Sequence, residues 1–495
     1  MPDAPQLLPD PFLRMRAGDI ACPAPLFATP QETVARAAVR MAKAGATAAL
    51  VRETEGGALL GILTERDVLV RVVAAGKDAG GVPVGAVMSG PVLTVRPDEL
   101  LIEAFARMVR HAVRRLALLD ASGQPVGLLG EGDILAARGE NPLALAGEIQ
   151  NAPDEAALAR AFARLSLLAA RCVSEGIGSE AVGRLISEMH DRIMSRAWGL
   201  ALAEVQAEAG PAPAPHAVLV LGSQARREQF LATDQDLALA YETAPGASAW
   251  FAHLGKRLTA LLVAVGFPPC PKHIMLDNPA WRRDMDGWLD LTDSLAATPD
   301  AEAVVLASLL ADLRPLPAPP GTGEAAPDLG QRLRAAVAGR LAGNTFLLKL
   351  MAREAVRFSP PLGLFRGFSL KKDTTGRDCL DVKRGGVFPI TQGVKVLAVE
   401  HRLSETGTMD RLRALKAAGV FSAPMAEGLC EALALLQTLR MRAQAEAKSK
   451  GLPLDNNLYP DALGPLERDG LRGAFKIAQG LQELLSEKYA LHLIG

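Results

Sequence analysis

The sequence predicts a multidomain α+β protein, and three observations support that prediction. A segment near the N-terminus recurs with an offset of 66 positions, which indicates two copies of one structural unit. Near residue 230, two short apolar runs flank a polar segment in the manner of two β-strands and their connection. Long stretches elsewhere show the three- and four-residue apolar spacing of helices. A chain of 495 residues is too long for one hydrophobic core, so we expect two to four domains.

The composition argues against several classes of function. Lys and Arg total 54 against 55 Asp and Glu, so a broad nucleic-acid-binding surface is not indicated. Aromatic residues make up only 4% of the chain, which disfavours stacking platforms for single strands. The five cysteines are scattered and form no Cys-x-x-Cys pair, as expected of reduced thiols. The N-terminus lacks a signal-peptide pattern and the apolar runs are too short to span a membrane, so we expect a soluble cytoplasmic protein.

The internal repeat covers residues 14 to 138, with a first copy over 14–75 and a second over 84–138. The ten residues that begin at Leu60 match the ten that begin at Val126, and an amphipathic helix pattern precedes each. Each copy is predicted to contain a helix, two short strands joined by a Gly-containing turn, and a second helix that begins at a capping residue.

This pair of repeats resembles a tandem CBS module. The resemblance implies that Asp67 binds a ribose, that Thr64 contacts phosphate, and that Asp133 occupies the equivalent position in the second copy, where Gly130 replaces the hydroxyl. Adenine nucleotides (AMP, ADP or ATP) are the implied ligands, and a homodimer formed through the CBS pair is the implied assembly. The residues alone allow another interpretation, because acidic side chains are also favoured in the first turn of a helix by its dipole.

From residue 151 the pattern becomes helical, with predicted helices over Glu155 to Ser174 and Ser179 to Ala209. A Gly- and Pro-rich stretch, 210–215, then breaks the helix before the next apolar run. His190 lies within the second helix, and we assign it no role from the sequence.

The segment from Val218 to Leu239 is predicted to form a strand, a tight turn, a short helix and a second strand. Side chains two positions apart on a strand share a face, so Asp234 and Asp236 are expected to project side by side. Paired carboxylates suit Mg²⁺, which is commonly held by one or two carboxylates and by substrate phosphates. Gly222 allows close approach of a phosphate, and Ser223 can donate to it. A solvated acidic turn is the alternative.

The Gly-Ser turn followed by Asp-x-Asp resembles the signature of the nucleotidyltransferases, and the longer string from Gly222 to Asp236 narrows the resemblance to the DUF294 family, related to protein-PII uridylyltransferase. It implies a polymerase-β-like mixed sheet over 151–314 and a mainly helical C-terminal domain over 331–495. It also implies catalytic and phosphate-binding roles for residues of this segment. The phosphates of a nucleoside triphosphate would be held by Gly222, Ser223 and Arg226, and Glu228 would orient Arg226 or the turn. Mg²⁺ (or Mn²⁺) would be bound by Asp234 and Asp236. The implied catalytic residues are these two aspartates and Ser223.

Three further features of the sequence bear on this site. Cys270 is predicted to be a packed thiol, because no His or Asp partner is arranged by the sequence. Asp312 is expected either to support the site or to pair with Arg314, and the third carboxylate that related enzymes use is not identified. Lys383, in a predicted basic β-turn within a strand-like section from Gly367 to Ile390, could close over a triphosphate or simply face solvent.

The resemblance implies transfer of a nucleotidyl group, possibly from UTP, to an acceptor that is either a protein such as PII or a small molecule, under control of the CBS pair. One alternative is a catalytically inactive protein that senses nucleotides and signals to a partner. Another is a CBS-regulated hydrolytic or antibiotic-type transferase that acts on a small molecule.

Overall fold

The chain forms two compact units, residues 1–144 and 145–495. The computed structural model describes residues 14–20, 24–54, 56–130, 142–230, 234–297, 299–319, 326–363, 367–373, 375–452 and 454–493. Within those ranges, none of the helices combines the length and the apolar character that crossing a bilayer requires.

The first unit confirms the predicted repeat. In both copies a short strand pairs in parallel with the next strand, which pairs antiparallel with the third. The first copy contains β1 (Phe27–Ala28), α1 (Val34–Lys43), β2 (Ala48–Arg52), β3 (Leu59–Thr64) and α2 (Glu65–Val68). The second contains β4 (Thr94–Val95), α3 (Leu101–His111), β5 (Arg115–Leu119) and β6 (Pro125–Gly130). The sheets have the matching strand orders β1-β2-β3 and β4-β5-β6.

Local sequence accounts for the boundaries of these elements. The Thr33 hydroxyl accepts a hydrogen bond from the Arg36 amide and caps α1. In the turn between β5 and β6, one carboxylate oxygen of Asp120 accepts from the Ser122 and Gln124 amides. Strands β5 and β6, which flank this turn, therefore keep a fixed antiparallel register.

The second unit is built around a buried four-stranded mixed sheet of order β10-β7-β8-β9. Its strands are β7 (His216–Val220), β8 (Leu237–Tyr241), β9 (Arg282–Asp284) and β10 (Arg314–Pro315). Its helices up to the end of this sheet are α4 (Pro142–Gln150), α5 (Glu155–Ser174), α6 (Ser179–Ala209), α7 (Gly222–Ala225), α8 (Ala247–Val265), α9 (Met285–Ala297) and α10 (Ala301–Leu310). The predicted helices α5 and α6 are confirmed at both ends.

Helices cover both faces of this sheet. On one face, Leu219 and Leu221 join a core that includes Trp288 and Leu310 from α9 and α10. On the other face, His216 packs against the rings of α8 and α6. All residues of β7 and β8 are buried. The central strands therefore form a rigid base for the polar segment that connects them.

The rest of the second unit is mainly helical, as predicted. Its elements are α11 (Ala326–Ala342), α12 (Thr345–Ala355), β11 (Lys371–Lys372), β12 (Asp378–Asp381), α13 (Phe388–Glu400), α14 (Thr408–Ala417), α15 (Ala423–Ser449), β13 (Asn457–Leu458) and α16 (Pro465–Lys488). Helix α13 contributes to two cores: Val396 packs in the core under the central sheet, and Leu397 packs in the C-terminal helical core. The two segments predicted as separate domains thus pack as one compact unit.

The strand-like section predicted over Gly367 to Ile390 is shorter than expected. Strand β12 ends at Asp381, and Lys383–Val387 forms a π-helical turn that continues into α13, so the predicted β-turn is wrong. The two glycines serve packing instead: a Cβ on Gly385 would lie 2.5 Å from Pro361, and one on Gly386 would lie 2.7 Å from Leu436. Because Gly pairs are also common in turns, the sequence alone could not distinguish the two uses.

Candidate active site in the second unit

The turn after β7 is shaped to fit the carboxylate of Asp236. Gly222, the first residue of α7, has a φ of +55°, and a Cβ there would lie 2.8 Å from Asp236 Oδ2. The Leu221 amide donates to the carbonyl of Asp236 over 3.0 Å. Only glycine satisfies both the backbone conformation and the close approach. The turn and Asp236 are therefore folded as one piece.

Asp234 and Asp236 lie just before β8, and the structure adds a third group beside them. One oxygen of each carboxylate and the sulfur of Cys270 all lie within 4.8 Å of one another. Both aspartates are half-buried, whereas Cys270 is only 7% exposed. The thiol is packed, as the sequence indicated, but it is packed against the acidic pair.

Charge accumulates at this point of the molecule. Burial, and then the negative charge of Asp234, raise the pKa of Asp236 to about 6, although the Cys270 hydrogen bond and the nearby cations Arg226 and Lys383 act in the opposite direction. Burial and the hydrogen bond to Asp236 raise the pKa of Cys270 to about 11. Two carboxylates that repel each other in a partly buried site are relieved by a bound cation.

The loop that carries Cys270 is fastened to the residue between the two aspartates. The Gln235 amide donates to the Pro268 carbonyl over 3.3 Å, and its side chain donates to the Phe267 carbonyl over 3.4 Å. Gln235 is fully buried. The sequence places Cys270 far from Asp236, and only this pairing of loops reveals that the two side chains are neighbours.

His190 supports the segment that carries Asp234 through a hydrogen bond to Gln229. Its Nδ1 lies 2.8 Å from Oε1 of Gln229, whose side-chain amide donates to the Asp234 carbonyl over 3.4 Å. Burial lowers the pKa of His190 to about 4, so the neutral ring donates from Nδ1 to Gln229. His190, to which the sequence assigned no role, thus positions the backbone of Asp234 through one intermediate residue.

Arg226 and Glu228 bond to each other and to the C-terminal segment. Arg226 Nε donates to Glu228 over 3.0 Å. The other Glu228 oxygen accepts from the Thr408 amide over 2.7 Å, at the start of α14. Glu228 therefore orients Arg226 while it caps a helix. Ser223 is half-buried in α7, and its carbonyl accepts from the Glu228 amide over 2.9 Å.

Asp312 is the centre of a buried ion-pair cluster. Its carboxylate accepts from Arg226 Nη1 over 2.6 Å, from Lys395 Nζ over 2.7 Å and from Arg411 Nη1 over 2.7 Å. Asp312 is fully buried, and Lys395 and Arg411 are 2% exposed. Burial opposes ionisation, but the charges of the three cations outweigh it and hold the pKa of the Asp312 carboxyl well below its usual range.

The predicted alternative in which Asp312 pairs with Arg314 is corrected by the structure. Arg314 forms its ion pair with Asp191 of α6 over 2.8 Å, and it also donates to the carbonyls of Gln224 and Ala225. Asp191, through Arg314, therefore holds the carbonyls of Gln224 and Ala225 in α7. Asp312 instead holds Arg226, the residue that follows α7.

Two cations from the C-terminal segment act on groups in and around the acidic pair: Lys383 acts on Asp236, and Arg440 acts on Arg226 and Glu228. Partial desolvation and the charge of Arg440 lower the pKa of Lys383, whose side chain is exposed, while the charge of Asp234 acts in the opposite direction. Arg440 donates to Asn456 over 2.6 Å, and its guanidinium lies 5.7 Å from the ring centroid of Phe230. Burial lowers the pKa of Arg440 to about 10. The sequence singled out Lys383 but gave Arg440 no individual role.

Comparison with known protein families identifies the family to which this chain belongs. The model "Putative nucleotidyltransferase DUF294" matches residues 163–302, and "Putative nucleotidyltransferase substrate binding domain" matches residues 345–489. The CBS domain model matches twice, over residues 17–74 and 84–140. The chain is a CBS-pair protein of the DUF294 family. Its acidic pair and glycine turn lie in the DUF294 domain, and Lys383, Lys395, Arg411 and Arg440 lie in the substrate-binding domain.

Curated relatives match about a quarter of the chain. The chain is 35% identical over 118 residues to "Uncharacterized protein MK0525" of Methanopyrus kandleri, covering 24% of this chain and 60% of that protein. It is 36% identical over 106 residues to "CBS domain-containing protein YhcV" of Bacillus subtilis, covering 21% of this chain and 73% of that protein. The chain therefore spans only part of the length of these relatives.

Solved structures of CBS domain proteins also match about a quarter of the chain. The CBS domain protein PAE2072 from Pyrobaculum aerophilum, complexed with AMP, is 24% identical and covers 24% of this chain and 89% of its own, with a TM-score of 0.23. The CBS domain structure NE2398 is 30% identical and covers 23% of this chain and 85% of its own, with a TM-score of 0.21.

In the first CBS copy, Thr64 and Asp67, which are predicted to bind nucleotide, form hydrogen bonds with each other. Asp67 Oδ2 accepts from the Thr64 amide over 2.9 Å and from its hydroxyl over 2.6 Å, and Thr64 in turn accepts from the Asp67 amide. Asp67 Oδ1 accepts from Ser89 over 3.0 Å and lies 3.4 Å from Arg71. This arrangement is a capping box at the start of α2. Asp133 lies outside the described residues.

Proposed function

We propose that the DUF294 domain transfers a nucleotidyl group from a nucleoside triphosphate to an acceptor, with Mg²⁺ (or Mn²⁺) as cofactor. The observation that carries this proposal is the convergence of Asp234 and Asp236 on the glycine turn at Gly222. The fit to a cation is supported by the donor chemistry, since the site offers carboxylate oxygens, and by the burial and the repulsion from Asp234 that together raise the pKa of Asp236.

Asp234 and Asp236 would hold the metal, and the phosphates would lie over Gly222 and Ser223. A bound Mg²⁺ supplies charge neutralisation for the triphosphate and for the attacking oxygen. The missing Cβ of Gly222 leaves room for Asp236, and the half-buried Ser223 can offer its hydroxyl to a phosphate oxygen. Both aspartates and Ser223 are the proposed catalytic residues.

The role proposed for Arg226 differs from the phosphate contact that the family resemblance implied for it. Two of its nitrogens are occupied by Glu228 and Asp312, so it fixes the turn, while its positive charge still acts on Asp236. The direct contacts to phosphate are assigned instead to Lys383, which is exposed to solvent, and to Arg440, which is 9% exposed, because an anionic ligand would relieve the repulsion between the two cations. The substrate-binding domain would thereby contribute to the triphosphate site.

The acceptor is proposed to be a protein of the PII type, from the family relation, with a small molecule as the alternative. The CBS pair is proposed to bind an adenine nucleotide through Thr64 and Asp67 and to regulate transfer, and a homodimer through that pair is the proposed assembly. Calorimetry with AMP, ADP and ATP tests the CBS assignment. Binding should be lost in Asp67→Ala and retained in Asp98→Ala, an exposed carboxylate in the same unit.

A catalytically inactive nucleotide sensor is the second candidate, and one observation favours it. Among the described residues, the third potential metal ligand beside Asp234 and Asp236 is a cysteine and not a carboxylate. Asp277, which also follows an apolar run in the sequence, has its Oδ2 3.1 Å from His273 Nε2 and is not part of the group.

Incubation with Mg²⁺ and each of four labelled triphosphates, with and without a PII-type acceptor, separates the two candidates. Transfer predicts pyrophosphate release and labelled acceptor, both lost in Asp234→Ala and Asp236→Ala. If neither product forms while the triphosphate still binds, and binding depends on Asp236, the sensor is correct and the transferase is excluded. Asp286→Ala, a first-turn acid of α9, serves as the matched control.

A further inference from the structure

We propose that Cys270 becomes a third protein ligand, with Asp234 and Asp236, when a thiophilic divalent cation such as Zn²⁺ or Co²⁺ occupies the metal position, which Mg²⁺ would occupy through oxygen ligands alone. This inference rests on the proposed function for the metal-binding role of the two aspartates. It extends that function by naming the residue that completes the ligand set and the class of cation that the set selects.

The positions of the donor atoms support a shared ion. Three atoms within 4.8 Å of one another all lie within about 2.8 Å of one common point, which small side-chain movements would bring to the ~2.0 to 2.3 Å typical of Zn–O and Zn–S bonds. The carboxylates are half-buried, whereas Cys270 is 7% exposed and follows a segment that Gln235 holds through two hydrogen bonds. A cation bound by all three atoms requires only small movements of these side chains.

The cysteine loop is rigidly placed for this purpose. Gln235 bonds to two consecutive carbonyls of that loop, those of Phe267 and Pro268, while the residues on both sides of Gln235 present their carboxylates to the sulfur. The backbone that carries the acidic pair thus also fixes the distance to the thiol. A merely space-filling cysteine would not require this coupling of the two segments.

Ligand chemistry decides the class of cation. Mg²⁺ is a hard ion that binds oxygen, whereas sulfur ligands favour softer ions such as Zn²⁺. On binding, the S–H bond of Cys270 breaks, a sulfur–metal bond forms, and the proton is released to solvent, so no oxidant or reductant is needed. Cys172, Cys379 and Cys430 are free thiols that do not share such a ligand group among the described residues.

Titration of the full-length protein with Co²⁺, without nucleotide, tests the proposal. A thiolate ligand gives an intense sulfur-to-cobalt absorption band in the near ultraviolet, which we expect in the wild type and in Cys430→Ser but not in Cys270→Ser. In competition experiments, Cys270→Ser should weaken Zn²⁺ binding by about tenfold or more. Mg²⁺ binding should change by less than about twofold, since magnesium keeps oxygen ligands.

A second measurement uses the wild-type chain and does not depend on the fold of a cysteine variant. Zn²⁺ should slow alkylation of Cys270, followed by mass spectrometry of its peptide, and Asp236→Asn should remove that protection. An absent cobalt–sulfur band, a band that survives in Cys270→Ser, or Zn²⁺-independent alkylation overturns the proposal. Nucleotidyl transfer without a cobalt–sulfur band refutes this inference alone, whereas the band without any transfer refutes the transferase and leaves the metal position intact.

Discussion

Two carboxylate centres in the same compact unit show opposite behaviour. Asp312 is fully buried against Arg226, Lys395 and Arg411, and its pKa is held below the usual range. Asp236 is half-buried beside Asp234, and its pKa is raised to about 6. The charge of Asp312 is neutralised by the fold itself, whereas the two carboxylates of the acidic pair repel each other, and a bound cation would relieve that repulsion.

The difference teaches which acidic residues serve structure and which serve chemistry. Asp312 links the DUF294 domain to the C-terminal substrate-binding domain, because Arg226 comes from the former and Lys395 and Arg411 come from the latter. The acidic pair is bounded by a glycine turn and a cysteine, and burial together with the charge of Asp234 raises the pKa of Asp236. Substitutions at the two centres should therefore separate stability from function.

The largest expected effect is on stability and occurs at Asp312. Asp312→Asn leaves three buried cations without their common anion and should lower the free energy of unfolding by about 3 to 5 kcal/mol. Denaturant unfolding of the full chain measures the change. The control, Asp293→Asn, removes an exposed partner of Arg340 and should cost less than about 1 kcal/mol. Equal effects of the two substitutions would remove Asp312 from its structural role.

A pH effect at His190 is expected to be the next largest. Its pKa is near 4 in the folded chain and 6.5 ordinarily, so stability is full above pH 6.5 and falls by up to about 1.4 kcal/mol per pH unit toward pH 4. His190→Gln, which cannot titrate, should show a shallower loss between pH 7 and 5. The exposed His253→Gln is the control and should keep the wild-type slope. Identical slopes in all three proteins would contradict a buried neutral His190.

A glycine comparison tests the link between the turn and the acidic pair. Gly222→Ala and Gly246→Ala both place a side chain at positive φ, at a cost of about 1 to 2 kcal/mol each, but only the first Cβ meets Asp236. Metal-dependent triphosphate binding should fall by about tenfold or more in Gly222→Ala alone. Equal binding by the two variants would show that the close approach at Gly222 does not matter.

The sequence predicted those parts of the protein that depend on nearby residues. The CBS repeat, the ends of α5 and α6, and the proximity of Asp234 to Asp236 all follow from local spacing. The Asp312 cluster could not be predicted, because its cations come from three distant segments that meet only in the folded chain. The proximity of Cys270 to Asp236 could not be predicted either. It depends on the hydrogen bonds between Gln235 and the loop that carries Cys270, which the spacing of residues in the sequence does not indicate.

The smallest expected stability change belongs to the acidic pair. Asp236→Asn removes a carboxylate that burial and Asp234 disfavour, so at pH 8 the free energy of unfolding should stay unchanged or rise by about 1 kcal/mol. Thermal unfolding of the metal-free protein measures this change. A loss as large as that of Asp312→Asn would contradict the distinction between the two centres.

Calorimetric titration with Mg²⁺ and a non-hydrolysable nucleoside triphosphate tests the central claim most directly, using wild type, Asp236→Asn and Asp293→Asn with their unfolding midpoints measured in the same samples. We predict that Asp236→Asn weakens metal-dependent binding by about tenfold or more while its midpoint stays at or above that of the wild type. Unchanged binding in a folded Asp236→Asn protein would show that the acidic pair is not the metal and nucleotide site.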